Sequence, residues 1–127
     1  MRYPFLFICF TLLSASLFSQ KQKIQGAYLS IGIDTLSYGQ IEFNTSGERV
    51  IEIKNTGNEP LIINSCKASC GCTVPNCPTT KIAPGNLSEI KVIYDTKRIG
   101  VFNKTVTIKS NAINNIVYLK INGEVLR

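Results

Sequence analysis

The chain has 127 residues, with 14 basic side chains against eight acidic ones and no histidine or tryptophan. That is one domain's worth of chain, and the lack of histidine removes Ser-His-Asp and Cys-His catalysis at once. The formal charge of +6 comes from scattered lysines (Lys54, Lys67, Lys81, Lys91, Lys109 and Lys120), which excludes the dense basic face that nucleic-acid binding needs.

The first residues, MRYPFLFICFTLLSASLFSQ, place one cation, Arg2, before an apolar run from Phe5 to Phe18 that ends among Ser14, Ala15, Ser16 and Ser19. This is the layout of a secretory signal peptide over residues 1–19, with cleavage expected after Ser19 and Ser16 as the second choice. The run is too short for a membrane anchor, which needs roughly 20 apolar residues. Cys9 lies too near the start, without small residues before it, to be a lipidation site. Residues 20–127 are then a single exported domain with thirteen basic and eight acidic side chains, +5, and no stable membrane span. We read that charge as a solvated surface.

Beyond the leader the apolar residues alternate, and turn residues separate the runs, which predicts an all-β sandwich. A loose strand is expected around Leu29 to Leu36, and another over Tyr38 to Phe43. Arg49 to Lys54 puts Ile51 and Ile53 on one face and Glu52 and Lys54 on the other. The stretch NTGNEP reads as a turn, with Gly57 at positive φ, and Leu61 to Ile63 as the strand pairing back in a hairpin. Ala83-Pro84-Gly85-Asn86 has Pro and Gly where a type II turn favours them. Glu89 to Tyr94 turns Ile90, Val92 and Tyr94 inward. Lys104 to Lys109 buries Val106 and Ile108, and Ile116 to Val125 buries Val117, Leu119, Ile121 and Val125. One-sided alternation implies antiparallel, half-buried strands. About seven of them in about a hundred residues make an immunoglobulin-like antiparallel β-sandwich the expected fold, with a small barrel as the alternative.

The segments KNTGNEPLII, ASCGCTVP, IAPGNLSEIKVIYDTKR, GVFNKTVTIKSNA and LKINGEV, in this order, resemble the bacterial secreted family called domain of unknown function 1573, over about residues 38–125. That family is similar to the Ig-like domains of the major-sperm-protein and ASPM–SPD-2–Hydin type, which act as binding or scaffold modules. The resemblance implies fold and secretion and brings no catalytic residue. The family's recurrent cysteine pair corresponds to Cys70 and Cys72 around Gly71, while Cys66 and Cys77 are additions here.

Without the leader's Cys9, four cysteines remain, spaced C-x3-C-x-C-x4-C between Cys66 and Cys77. Zinc sites favour two pairs at C-x2–4-C spacing, and the central C-x-C fits that poorly. A redox centre would need a thiol of lowered pKa with a resolving partner, and Lys67 is a nearby charge. Structural disulfides suit an exported chain best. Bonds that avoid the adjacent pair are expected: Cys66–Cys72 with Cys70–Cys77, or Cys66–Cys70 with Cys72–Cys77. A thiol-based redox or metal-binding protein centred on these four is the alternative function.

The eight acids (Asp34, Glu42, Glu48, Glu52, Glu59, Glu89, Asp95 and Glu124) sit on outward strand positions or in turns, so no carboxylate pair is expected. The sequons at Asn44, Asn86 and Asn103 are short enough to arise by chance. Asp95, Lys97 and Arg98 form a charged tip between two strands and are the candidate partner-contact loop. No catalytic residue, metal or cofactor is expected. The expected function is a secreted non-enzymatic module that binds a protein or envelope component through loops or by edge pairing, in the periplasm, at the outer envelope or outside the cell.

Overall fold

The computed structural model describes residues 25–127, so the signal peptide expected over 1–19 lies outside the described residues. Eight strands form two four-stranded sheets: β1 (Leu29–Ile31), β2 (Thr35–Glu42), β3 (Glu48–Asn55), β4 (Ile63–Ala68), β5 (Thr73–Asn76), β6 (Leu87–Tyr94), β7 (Gly100–Ser110) and β8 (Ile116–Leu126). One sheet runs β1-β3-β6-β5 and the other β2-β8-β7-β4. This is the Ig-like sandwich expected from the alternation, with no helix among the described residues.

The alternation translates directly into burial. Ile51, Ile53, Ile90, Val92, Val106, Ile108, Leu119, Ile121 and Val125 all lie in the shared core, each at 4 % exposure or less. Their neighbours in sequence, such as Glu52, Lys91 and Lys120, face water. Each strand thus contributes one apolar face, and the two faces meet as a single core.

Three features depart from the sequence expectation. The chain breaks at Gly32–Asp34, earlier than expected, and there it leaves the first sheet and enters the second. Consequently β2 runs parallel to β8, pairing Thr35 with Lys120 and Glu42 with Leu126, where all-antiparallel pairing was expected. The parallel pair is possible because β2 does not return from its partner through a hairpin; it arrives from the opposite sheet.

Leu61 to Ile63 does not pair back onto β3. Leu61 bridges Ile82, and β4 pairs with β7 in the other sheet. The cause is Asn55, the last residue of β3, which is completely buried. Its amide nitrogen donates to Glu59 O at 2.7 Å and Ile82 O at 2.9 Å, and its Oδ1 accepts from Gly57 N and Tyr28 N. With all four of its bonds committed, Asn55 ties the turn across the end of the sandwich and sends the chain to the second sheet.

Gly57 is also not at positive φ. A Cβ there would collide with Gly26 O and Tyr28 N, so close backbone approach is the reason for the glycine. Gly85 does take φ +80°, and Asn86 N donates to Ala83 O at 3.0 Å, the expected type II turn.

Candidate functional site

The cysteine segment connects the two sheets. Cys66 lies in β4 of one sheet and Cys77 just past β5 of the other, and their sulfurs stand at bonding distance with Cα atoms 6.3 Å apart. Cys70 and Cys72 form the second pair, with Cα atoms 5.3 Å apart. Both pairings differ from those expected from sequence. An extended strand would hold residues i and i+2 about 6.6 Å apart, but the chain bends at Ser69 to Gly71 and brings the adjacent pair closer. That bend also carries β5 under β4, so the outer two cysteines face each other across the side of the sandwich. The inner loop is therefore nested within the outer one. The four sulfurs stand in two pairs at bonding distance. Among the described residues no other cluster of potential ligands stands together.

Of the inner pair, Cys72 lines a cleft. Cys72 is buried, its carbonyl accepts from Asp95 N at 2.8 Å, and its Sγ lies 3.7 Å from Thr73 Oγ1. Gly71, Cys72 and Val74 form one wall of a cavity of about 410 Å³. The turn from Asn44 to Glu48 and the segment Ile93 to Lys97 form the rest. Two sites that look unrelated in sequence, the C-x-C pair and the Asp95–Arg98 loop, thus meet at one end of the sandwich.

The loop is braced from within. Asp95 accepts from Lys97 N at 3.1 Å and stands 3.7 Å from Arg98 Nε, while Thr96 is buried and its hydroxyl donates to Thr45 O. Asp95, Lys97 and Arg98 themselves are exposed. The order of the loop comes from buried Thr96 and from Asp95, which holds Lys97 N and Arg98. Sequence reasoning missed Thr96, since a threonine in a charged tip reads as solvated.

Beneath the cleft three rings close the core. Tyr94 stacks on Phe102 with centroids 3.7 Å apart, and Tyr38 meets Phe102 edge-on at 5.6 Å. Tyr38 donates to Gly47 O at 2.8 Å, under Arg49, whose guanidinium lies 4.6 Å above the ring. Burial pushes the Tyr38 phenol up to about 12, with Arg49 pulling partly the other way. Burial raises Tyr94 as well, opposed by Arg98 and assisted by Asp95. Both phenols are neutral wall material at ordinary pH, with no poised proton.

Fold and site together define an Ig-like sandwich with a disulfide-braced end. The chain belongs to the family described as protein of unknown function (DUF1573), whose pattern matches residues 29–125. A protein of unknown function from Porphyromonas gingivalis W83 superposes with a TM-score of 0.72 at 19 % identity, over 85 % of this chain and 51 % of that one. The chain thus spans about half the length of that relative. The ASH/PapD-like domain 7 of human CEP192 gives 0.68 at 7 % identity, over 90 % and 96 % of the two chains. The CsuC–CsuE chaperone–adhesion subunit complex of Acinetobacter baumannii gives 0.55 at 11 %, over 78 % and 57 %. At such identities the likeness is one of fold. No curated protein matches the sequence.

Proposed function

We propose that this chain is an exported, non-enzymatic binding module of the bacterial envelope whose partner is a protein. The observation that carries the reading is the convergence at one end of the sandwich. There, the nested cysteine loop, the Asn44–Glu48 turn and the exposed Asp95 and Lys97 form one braced cleft of about 410 Å³, and exposed Arg98 follows them in the chain. Loops held on a rigid scaffold are where binding residues concentrate. The paired cysteines suit an oxidising compartment outside the cytoplasm, which agrees with the leader read from residues 1–19. Structural neighbours include a chaperone bound to an adhesion subunit, so a protein partner is in keeping with the architecture.

The test is capture from envelope extracts of the native organism, comparing the wild-type chain with Lys97→Glu/Arg98→Glu, with cysteines mapped by mass spectrometry in the same sample. The reading expects a partner that the double variant loses, and fully paired cysteines. Identical captures would sink the assignment of the loop.

A thiol-exchange centre is the second reading. It is favoured by one feature: Gly71, between Cys70 and Cys72, has open space over its Cα. Free thiols at Cys70 and Cys72 in the native sample would favour that reading.

A further inference from the structure

Lysines that lie far apart in the sequence come together on the outer face of the second sheet. The registers of β4, β7, β8 and β2 set Lys67 beside Thr107 and Tyr118, Lys109 beside Ile116, and Lys120 between Thr105 and Thr35. All three lysines are exposed. With strands about 4.8 Å apart and alternate residues about 6.8 Å apart, each lysine Cα lies about 7–10 Å from that of Tyr118. None of the three has an ion-pair partner among the described residues.

The outer face of the first sheet differs. There Glu48, Glu52 and Glu89 stand among Lys54 and Lys91, and Lys91 bridges Glu48 at 3.4 Å. Charge that is scattered along the chain thus folds into one mixed face and one basic face. Two acids border the basic one. Asp34 stands just before β2, its carbonyl accepting from Lys120 N at 2.9 Å. Glu124, two outward positions beyond Lys120, accepts from Gln40 Nε2 at 3.5 Å. Neither forms an ion pair with a lysine.

Most of the remaining side chains on this face can hydrogen-bond. Ser65, Thr107, Thr105 and Thr35 bring hydroxyls beside the lysines, and Asn103 pairs with Asn122 one step further along. In their midst Tyr118 is 61 % exposed, more than any other aromatic side chain among the described residues. Its ring is a flat apolar platform with a polar tip, rimmed by hydroxyls and cations. A nucleic acid takes a denser set of cations than three. A lipid surface takes a broad apolar face beneath the charges, whereas here only Ile116 and Tyr118 offer apolar surface, on the flat of a sheet.

We propose that this face binds an acidic polysaccharide. A sugar ring stacks on Tyr118, the three lysines meet the anionic groups, and the hydroxyl and amide side chains bond the sugar hydroxyls. Lysine is a point charge without the bidentate fork of arginine, so polymers bearing carboxylate or sulfate are both accepted. The surface shares no residue with the Asp95–Arg98 loop or its cleft. It therefore goes beyond the protein-binding reading and stands or falls apart from it.

The experiment titrates the full chain by calorimetry with polygalacturonate, dextran sulfate and neutral dextran at low salt. Binding to one or both polyacids and not to dextran is expected, weakening as salt rises; the ratio of the two tells which acid group is preferred. The variant Lys67→Gln/Lys109→Gln/Lys120→Gln is expected to bind about tenfold more weakly, the loss of three exposed ion contacts. The control Lys54→Gln/Lys81→Gln/Lys91→Gln has the same net charge and is expected to stay within about twofold of wild type. Tyr118→Ala is expected to lose about fivefold, while Tyr118→Phe, which keeps the ring, binds as wild type does. Every altered side chain is exposed, and matching urea midpoints check that the variants stay folded. No binding to either polyacid, equal binding to dextran, equal losses in the two triple variants, or indifference to Tyr118→Ala overturns the proposal. So does tighter binding to phosphatidylglycerol vesicles or duplex DNA than to the polyacids.

Discussion

Asn55 decides more of this fold than any apolar residue of similar size. Its side chain satisfies two carbonyls and two amides at the turn where the chain changes sheets. Truncation would orphan several buried groups, each costing roughly 1–3 kcal/mol. Asn55→Ala is therefore expected to lose about 3 kcal/mol or more, read by urea unfolding; a loss under about 1 kcal/mol would refute its role as a hub. Tyr38 acts through pH. Its phenol titrates near 12 in the fold and near 10 in the unfolded chain, so the unfolded state releases the proton first. Stability is complete below pH 10 and falls as pH rises towards 12, by roughly 2–3 kcal/mol. Tyr38→Phe is expected to flatten that alkaline limb in unfolding curves recorded at several pH values. Neither residue announces itself in the sequence: a polar residue at a strand end reads as a turn, and a tyrosine as core.

The two disulfides do different work at the scale of elements. Cys66–Cys77 ties β4 to the end of β5 and closes a separation of 11, whereas Cys70–Cys72 closes a separation of only 2. Chain entropy gives the outer bond about 3 kcal/mol and the inner about 1.5 kcal/mol. The double serine variant of Cys66 and Cys77 is thus expected to lose about twice as much stability as that of Cys70 and Cys72, by denaturant midpoint. Equal losses would mean that the inner pair carries structural weight its loop length does not explain. Strand existence was legible from the spacing of Ile51 and Ile53, or of Ile90 and Val92. Strand partnership was not, because a period of two looks the same whichever neighbour a strand takes. The misplaced hairpin at Leu61 and the unforeseen parallel β2–β8 pair share that cause.

Across the whole molecule the two sheets have one core between them, so neither is expected to unfold alone. Leu119 and Leu61 are fully buried at its centre. Leu119→Ala is expected to cost about 3 kcal/mol, within the usual range for buried leucine, which lowers the melting temperature by roughly 12–24 °C in a domain of this size. Fluorescence and amide exchange should report a single transition; separate transitions for the two sheets would contradict a shared core.

By itself the sequence determined the all-β class, the inward residue of nearly every strand, the Pro84–Gly85 turn and the absence of histidine chemistry. These follow from local rules: side-chain alternation, backbone φ and composition act over a few residues and need no partner. The tertiary structure alone decided which cysteines meet, and that Cys72 and the segment Asp95 to Lys97 share a cleft. Each of those depends on where the chain crosses between sheets, and that crossing is set by long-range hydrogen bonds and burial which no short stretch of sequence contains.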